Sequence, residues 1–136
     1  MTPVFADASY YVALLSPRDQ YHQVAVRVSG ELRRPVVVTE FVLIEVSNAL
    51  AQVESRARAV RLWAHLNSDP SVTIVPASTK LIAEGLDLYA QRPDKEWSLT
   101  DCISFAVMQK GGLIEALTAD HHFEQAGFMP LLKTSD

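Results

Sequence analysis

The chain has a single cysteine, Cys102, among its 136 residues. One cysteine cannot form an internal disulfide, so the composition favours a reducing compartment, and we expect a cytoplasmic protein. Apolar runs are short: none approaches the roughly 18 residues that cross a membrane, and acids interrupt candidates such as TEFVLIEV. The opening residues, MTPVFADAS, place no basic segment ahead of an apolar one. We therefore expect neither a signal peptide nor membrane association.

An excess of basic residues is also lacking. The chain carries 12 lysines and arginines against 16 aspartates and glutamates, for a net charge of −4. This balance argues against a simple nucleic-acid-binding protein, which would usually be basic. The argument weakens if four of the acids bind a metal ion, because the remaining acids then equal the basic residues in number. With 49% hydrophobic and 21% charged residues, the composition predicts one globular domain over residues 1–136.

Short apolar runs typical of strands alternate with longer segments of helical periodicity. The patterns predict strands at 3–7, 36–39, 72–77, 113–119 and 129–132. They predict helices at 8–15, 19–33, 40–53, 55–68, 79–91, 98–112 and 120–126. This alternation predicts an α/β protein with three α/β/α layers and a central, mostly parallel sheet of four to five strands. In such sheets, ligands bind beyond the carboxyl ends of the strands, at a switch in strand order.

Two aspartates lie at the ends of predicted strands. Asp7 ends the first strand and Asp120 directly follows the fourth. Parallel strands present their carboxyl ends at one edge of a sheet, so we expect both side chains at that edge. Each aspartate could instead be the N-cap of the helix that follows it, a role that aspartate fills well.

Two further acids occur in predicted helices. Glu45 lies inside EFVLIEVSNAL, a helix that we predict to be well buried, so its carboxylate needs an arginine partner or a metal ion. Asp101 follows Ser98 at the spacing of a capping box, and the helix dipole favours an acid there. Asp101 could therefore cap its helix, bind a metal ion, or do both.

Taken together, the four acids are harder to explain as independent structural residues than any one of them alone. Grouped carboxylates repel one another and raise each other's pKa unless a cation compensates. A site made only of oxygen ligands suits Mg²⁺ or Mn²⁺ rather than zinc, and such ions serve phosphoryl chemistry. We therefore hypothesise a metal site for phosphoryl chemistry formed by Asp7, Glu45, Asp101 and Asp120.

Four stretches, FADASYYVALL, TEFVLIEVSNAL, WSLTDCISFAVM and LTADHHFEQAGF, carry a family resemblance that spans nearly the whole chain. The sequence resembles the PIN-domain ribonucleases, most closely the VapC-type toxins of bacterial toxin–antitoxin pairs. The resemblance implies that the metal-binding acids are Asp7, Glu45, Asp101 and Asp120. It places Ser9 at the small polar position beside the first aspartate, with Thr118 as a weaker candidate. It also implies a homodimer and a small antitoxin whose tail occludes the site.

The activity implied by the resemblance is Mg²⁺-dependent (or Mn²⁺-dependent) hydrolysis of RNA by water, which would leave a 5′-phosphate and a 3′-hydroxyl. No side chain needs to be the nucleophile, which fits the absence of a convincing Ser–His or Cys–His pair. A dinucleotide-binding enzyme would share the alternating fold, but DASYY rather than G-x-G-x-x-G follows the first strand. A catalytically silent PIN-like interaction module and a metal-dependent nuclease acting on DNA or structured nucleic acid remain alternatives.

The remaining polar and reactive residues carry weaker signals. His121 and His122 have no third nitrogen or thiolate ligand at a recognisable zinc spacing, so contact with an RNA phosphate is the better functional interpretation. Cys102 falls on the apolar side of its helix and is expected in the core, and Trp97 is expected to anchor the loop before that helix. Five arginines could be solvated or could position phosphates: Arg33, Arg34, Arg56, Arg58 and Arg61.

Overall fold

The computed structural model describes residues 1–133, so residues 134–136 of the predicted domain lie outside the described residues. The strands are β1 (Val4–Ala6), β2 (Val36–Thr39), β3 (Val72–Val75), β4 (Glu115–Leu117) and β5 (Met129–Pro130). The helices are α1 (Ala8–Leu15), α2 (His22–Glu31), α3 (Glu40–Ala49), α4 (Arg56–Ser68), α5 (Thr79–Gln91), α6 (Leu99–Gly111) and α7 (His121–Gln125).

The five strands form one sheet in the order β3-β2-β1-β4-β5, and every neighbouring pair is parallel. The predicted α/β/α fold with four to five mostly parallel strands is therefore confirmed. The chain moves outward from β1 to β2 and β3, and then returns to place β4 on the other side of β1. The switch in strand order thus lies between β1 and β4, where ligands of open α/β sheets bind.

Burial explains why these short runs become strands. All three residues of β1 are buried, and β2 is buried at three of its four positions. Central parallel strands are covered on both faces and therefore read as continuous apolar runs. The edge strand β3 is only partly buried. Phe105 of α6 packs edge-on against Phe123 of α7, with ring centroids 4.9 Å apart, and joins these helices to the core.

Several elements are shorter than predicted. The first strand ends at Ala6 rather than at 7, and the fourth covers Glu115–Leu117 rather than 113–119. The third and fifth strands likewise end at Val75 and Pro130, and α3 ends at Ala49 rather than at 53. The apolar pattern extends past the last residue that pairs with a neighbouring strand. As a result, the polar residues after β1 and β4 lie in the loops that form the site.

The helix boundaries near the site follow local capping chemistry. The hydroxyl of Thr39 accepts a hydrogen bond from the backbone N–H of Val42 and begins α3. The capping box predicted for α6 is present. Gly112 ends that helix in the left-handed conformation, with φ of 65°, which glycine adopts without a steric cost. Within residues 1–133, each helix is too short or too polar to span a bilayer.

Candidate active site

A cleft of about 790 Å³ opens at the carboxyl edge of the sheet, beside β1 and β4. The structure brings all five predicted site residues to its lining: Asp7, Ser9, Glu45, Asp101 and Asp120. They come from four separate parts of the chain: the β1–α1 junction, α3, the first turn of α6, and the loop after β4. The predicted convergence of the four acids is therefore found, although their catalytic and metal-binding roles remain predictions.

Asp7 is the most buried of the four acids, with 5% of its surface exposed. It stands at the N-cap position of α1, yet its side chain makes no capping hydrogen bond. Instead, Oδ2 accepts hydrogen bonds from the hydroxyls of Ser9, at 2.7 Å, and Thr118, at 2.8 Å. Burial raises the pKa of Asp7 to about 6, against the lowering effect of these two hydrogen bonds. The capping alternative for Asp7 is thus not supported.

Thr118 joins the two strand-end aspartates. Its fully buried hydroxyl donates to Asp7 and accepts from the backbone N–H of Asp120 at 3.0 Å. The carboxylate of Asp120 then caps α7 by accepting from the backbone N–H of His122 at 2.9 Å. Asp120 therefore has the capping role that its position predicts, and it also lines the cleft.

Asp101 likewise caps a helix and lines the cleft. Its Oδ2 accepts from the backbone N–H of Ser98 at 3.1 Å, while the hydroxyl of Ser98 accepts from the backbone N–H of Asp101 at 3.0 Å. Burial raises the pKa of Asp101, and the nearby charge of Asp120 raises it further. The capping box thus holds a carboxylate whose ionised form is disfavoured in the folded protein.

Glu45 corrects one prediction. We expected α3 to be well buried, but only one side of it, with Val42, Leu43 and Val46, packs into the core. Glu45 and its neighbour Ile44 lie on the exposed side, because that side borders the cleft and solvent.

The carboxyl of Glu45 nevertheless interacts electrostatically with the other acids of the site. Partial burial raises its pKa to about 7, and the charges of Asp7, Asp101 and Asp120 raise it as well. The charges that act on Glu45 are therefore those of the other three acids rather than that of the arginine partner considered from the sequence.

His122 lines the cleft, and its contacts with two of the acids were not predicted from the sequence, which suggested contact with an RNA phosphate. Its Nδ1 lies 3.1 Å from Oδ2 of Asp101 and 3.5 Å from Oδ1 of Asp120. Within residues 1–133, potential ligand atoms of Asp120, His121 and His122 all lie within 4.8 Å of one another. The sequence offered a signal in ADHHF, because a short helix capped by Asp120 turns its next residues back toward the capping carboxylate. A search for zinc spacings alone passes over this signal.

The donors in the cleft fit a hard divalent cation. The four predicted acids share one cavity, and the pKa values of Asp7, Glu45 and Asp101 are all raised by burial and by neighbouring acids. A bound cation would relieve both the repulsion and the unfavourable burial of charge. Carboxylate oxygens are the ligands preferred by Mg²⁺ and Mn²⁺. The same cleft offers imidazole nitrogen through His121 and His122.

Two predictions about non-catalytic residues are confirmed. Cys102 is fully buried in the core. Trp97 anchors the loop before α6: its indole N–H donates to Oε1 of Gln125 at 3.0 Å, and its ring packs edge-on against Phe105.

Comparisons with known proteins agree with this geometry. The family model described as PIN domain matches residues 4–129. Two curated relatives from Mycobacterium tuberculosis, strains CDC 1551 / Oshkosh and H37Rv, are named 23S rRNA-specific endonuclease VapC20. Each is 28% identical to this chain over 126 residues, covering 93% of this chain and 95% of its own length.

Solved structures extend the comparison. The crystal structure of M. tuberculosis VapC20, described as a sarcin–ricin loop cleaving toxin, superposes with a TM-score of 0.84 at 28% identity and covers 93% of this chain and 96% of its own. FitAcB from Neisseria gonorrhoeae gives a TM-score of 0.62 at 19% identity, covering 93% and 94% of the two chains. At that identity the likeness shows the fold alone. The family match includes strands β1 to β4 and all four acids, and this chain belongs to the PIN-domain family.

Proposed function

We propose that this protein is a Mg²⁺- or Mn²⁺-dependent endoribonuclease. The observation that carries the proposal is the convergence of Asp7, Glu45, Asp101 and Asp120 on one cleft at the switch in strand order. The relatives named as 23S rRNA-specific endonucleases support RNA as the substrate. Their named target, 23S rRNA, is the first substrate to test.

Each residue has a distinct task in this proposal. Asp7, Glu45, Asp101 and Asp120 would hold the cation, with Glu45 on the exposed side of the cleft. Ser9 and Thr118 orient Asp7 through hydrogen bonds to Oδ2. A bound Mg²⁺ or Mn²⁺ ion supplies activation of water and neutralisation of charge on the scissile phosphate. The acids must be deprotonated to bind the ion, so the raised pKa values couple metal binding to pH.

A cleavage assay tests this function. Purified protein should cleave 23S rRNA with Mg²⁺ or Mn²⁺ present and should stop when EDTA is added. Asp7→Asn and Asp101→Asn should each lower the rate by more than about 100-fold, since even residues that only support metal ligands typically cost 10- to 100-fold. Asp87→Asn is the matched control, because Asp87 is an exposed acid of α5 outside the cleft.

The same assay separates the alternatives. A catalytically silent module would cleave nothing under any metal condition, and a DNA-directed nuclease would prefer a DNA oligonucleotide of the same sequence. Cleavage that persists in both Asp7→Asn and Asp101→Asn would contradict the proposed site.

We also propose that the protein is the toxin of a toxin–antitoxin pair, located in the cytoplasm. The basis is the family resemblance together with the relative described as a toxin. A basic side chain of a small antitoxin would complement the acidic cleft. Co-expression with the product of the adjacent gene should yield a stable, inactive complex, whereas full ribonuclease activity in that complex would argue against this role.

A homodimer is the remaining part of the proposal. Ile82, Leu86 and Tyr89 are exposed and recur at helical spacing on one face of α5, as expected of an apolar contact surface. Light scattering should give a dimer for the wild type and a monomer for Leu86→Lys. A wild type that stays monomeric at high concentration would remove this part alone.

A further inference from the structure

The cleft continues into a second groove. This groove has a volume of about 470 Å³; two arginines, Arg18 and Arg58, and one acid, Glu54, line it together with polar residues that include Gln52 and Ser55, and we call it the arginine groove. Ala49, at the end of α3, lines both the cleft and the arginine groove. The loop between α1 and α2 also borders both, with residues 16–18 facing the groove and residues 19–21 facing the cleft. The two cavities are therefore adjacent.

Arg58 also lines a third cavity of about 270 Å³, but leucines of α1 and α4 make that cavity largely apolar. A path for a polar ligand can therefore be followed from the acids, past Ala49, to Arg18 and Arg58. Its two cationic residues come from the α1–α2 loop and from α4.

The charge of the cleft explains why such a path is needed. Six acids line the cleft: Asp7, Asp19, Glu45, Glu96, Asp101 and Asp120. Lys133, which also lines it, is paired with Glu124. A strand of nucleic acid carries one negative charge per nucleotide and is repelled by such a surface except where a cation intervenes. Favourable contacts to the phosphates on either side of the scissile bond must therefore come from beyond the acids.

The arginines of the chain differ in how far they are already engaged. Arg34 lies 2.6 Å from Glu115 and also donates to the carbonyl of Thr2. Arg33 donates to carbonyls at the end of α2. Both precede β2 and so lie toward the amino edge of the sheet, opposite the cleft. These two arginines are therefore unsuited to contact a substrate in the cleft.

Arg18 and Arg58 are placed differently. Arg18 is exposed on the α1–α2 loop. Arg58 is half-buried, and its Nη1 donates to the carbonyl of Leu15 at 3.1 Å, which holds the side chain against the end of α1. A guanidinium has five N–H donors in a planar fork, so this single hydrogen bond leaves donors for a phosphate.

We propose that the arginine groove binds the phosphate backbone of the RNA strand adjacent to the scissile phosphate, with Arg18 and Arg58 as its phosphate-contacting residues. The proposal rests on the proposed ribonuclease function, because it assigns the substrate path of that same cleft. Arg58 is a preorganised contact, since its guanidinium is already held by Leu15, whereas Arg18 must be ordered when the RNA binds.

Binding measured against salt concentration tests the proposal. A short fluorescent single-stranded RNA is titrated with protein in an Asp101→Asn background, which limits cleavage of the probe. Each phosphate contact to a single strand contributes about 0.7 to the slope of log affinity against log salt concentration. Arg18→Gln and Arg58→Gln should each reduce the magnitude of this slope by about 0.7. The ratio of wild-type to variant affinity should therefore be about fivefold larger at 0.1 M salt than at 1 M salt.

Arg56→Gln is the matched control. Arg56 is exposed on the same helix as Arg58, carries the same charge, and lies outside the residues that line these three cavities. It should leave the slope unchanged. Thermal melting of each variant checks that loss of the Arg58–Leu15 hydrogen bond has not unfolded the end of α1. Arg18→Gln does not alter that hydrogen bond and therefore gives an independent result.

The outcomes separate this proposal from the function on which it rests. If the wild type cleaves RNA but Arg18→Gln and Arg58→Gln show the same salt dependence as Arg56→Gln, the arginine groove is overturned and the ribonuclease function stands. This holds whether all three slopes are unchanged or all three fall equally. If the slopes fall as expected while the wild type cleaves no RNA, the groove stands and the ribonuclease fails. If Arg18→Gln and Arg58→Gln leave RNA binding unchanged but weaken the complex with the adjacent gene product, the groove binds a protein and the proposal is overturned.

Discussion

The hydroxyl of Thr118 donates a hydrogen bond of 2.8 Å to Oδ2 of Asp7, which lies 111 positions earlier in the chain. The same hydroxyl accepts the backbone N–H of Asp120. One buried side chain after β4 therefore orients the acid after β1 and fixes the turn that carries a second acid. Thr118 thus links the two strand-end aspartates structurally.

Thr118→Val should impair both stability and activity. Valine has nearly the same shape but leaves the N–H of Asp120 without its acceptor, which we expect to cost about 1–3 kcal/mol of unfolding free energy. Loss of the hydrogen bond to Asp7 should lower metal-dependent cleavage about 10- to 100-fold. Thr118→Ser keeps the hydroxyl and should retain most of the activity. Equal rates for wild type and Thr118→Val would show that this hydroxyl does not support the site.

The metal-free protein should lose stability as pH rises. The pKa of Asp7 is raised to about 6, so its carboxyl binds a proton more tightly when folded than when unfolded. Its contribution is fully present below the unfolded pKa near 4 and is lost as pH rises through about 6. We expect the unfolding free energy of wild type, relative to Asp7→Asn, to fall by about 2–3 kcal/mol from pH 4 to pH 7 in EDTA.

Denaturant unfolding at a series of pH values measures this difference. In each protein taken alone, Glu45, whose pKa is raised to about 7, should add a smaller change in the same direction, because water screens its partly exposed carboxylate. Mg²⁺ should reverse the trend above pH 6, since the cation binds the deprotonated acids. A wild-type protein that gains stability over Asp7→Asn between pH 4 and pH 7 without metal would contradict the assignment.

Asp101→Asn separates capping from metal binding without any substrate. If Asp101 served chiefly as a cap, loss of its charge should cost about 1 kcal/mol. Its raised pKa means instead that the ionised form is disfavoured in the fold, so the metal-free mutant should melt at or above the wild type near pH 7. Added Mg²⁺ should then stabilise the wild type more than the mutant. A mutant that melts lower and gains equally from Mg²⁺ would restore the capping role alone.

Gly85 should be needed for the packing of α5 on α6. A Cβ at this position would lie 2.4 Å from Cγ1 of Ile103 and 3.2 Å from its backbone N and Cα. Because backbone atoms cannot yield as a flexible side chain does, Gly85→Ala should destabilise the protein by about 1–3 kcal/mol.

Gly30→Ala provides the opposite case for the same measurement. Gly30 is an exposed residue of α2, and a Cβ there would meet nothing within 4 Å. The change should stabilise the fold by about 0.5–1 kcal/mol, since alanine loses less backbone entropy in a helix. Equal effects of the two alanines would show that the contact with Ile103 does not limit packing.

Local patterns in the sequence were sufficient to predict the architecture. Apolar strand runs such as VFA and VVVT, the capping box at Ser98 and Asp101, and the glycine after α6 each specify an element through neighbours within a few residues. Alternation of these elements was sufficient to predict the parallel sheet, and the family resemblance is confirmed by the match over residues 4–129. The acids at strand ends could be assigned to one edge because parallel strands end together.

Tertiary structure decided what depends on distance between remote residues. Periodicity placed Glu45 in an apolar helix, but only the packing of α3 shows that this side borders solvent and the cleft. The contacts of His122 with Asp101 and of Thr118 with Asp7 join segments whose separation the sequence does not encode locally. The same holds for Arg18 and Arg58, which share a groove only because the end of α1 lies beside the start of α4. Helical and strand periodicity report which face of an element is buried, whereas the neighbours of a polar side chain are set by how the elements pack.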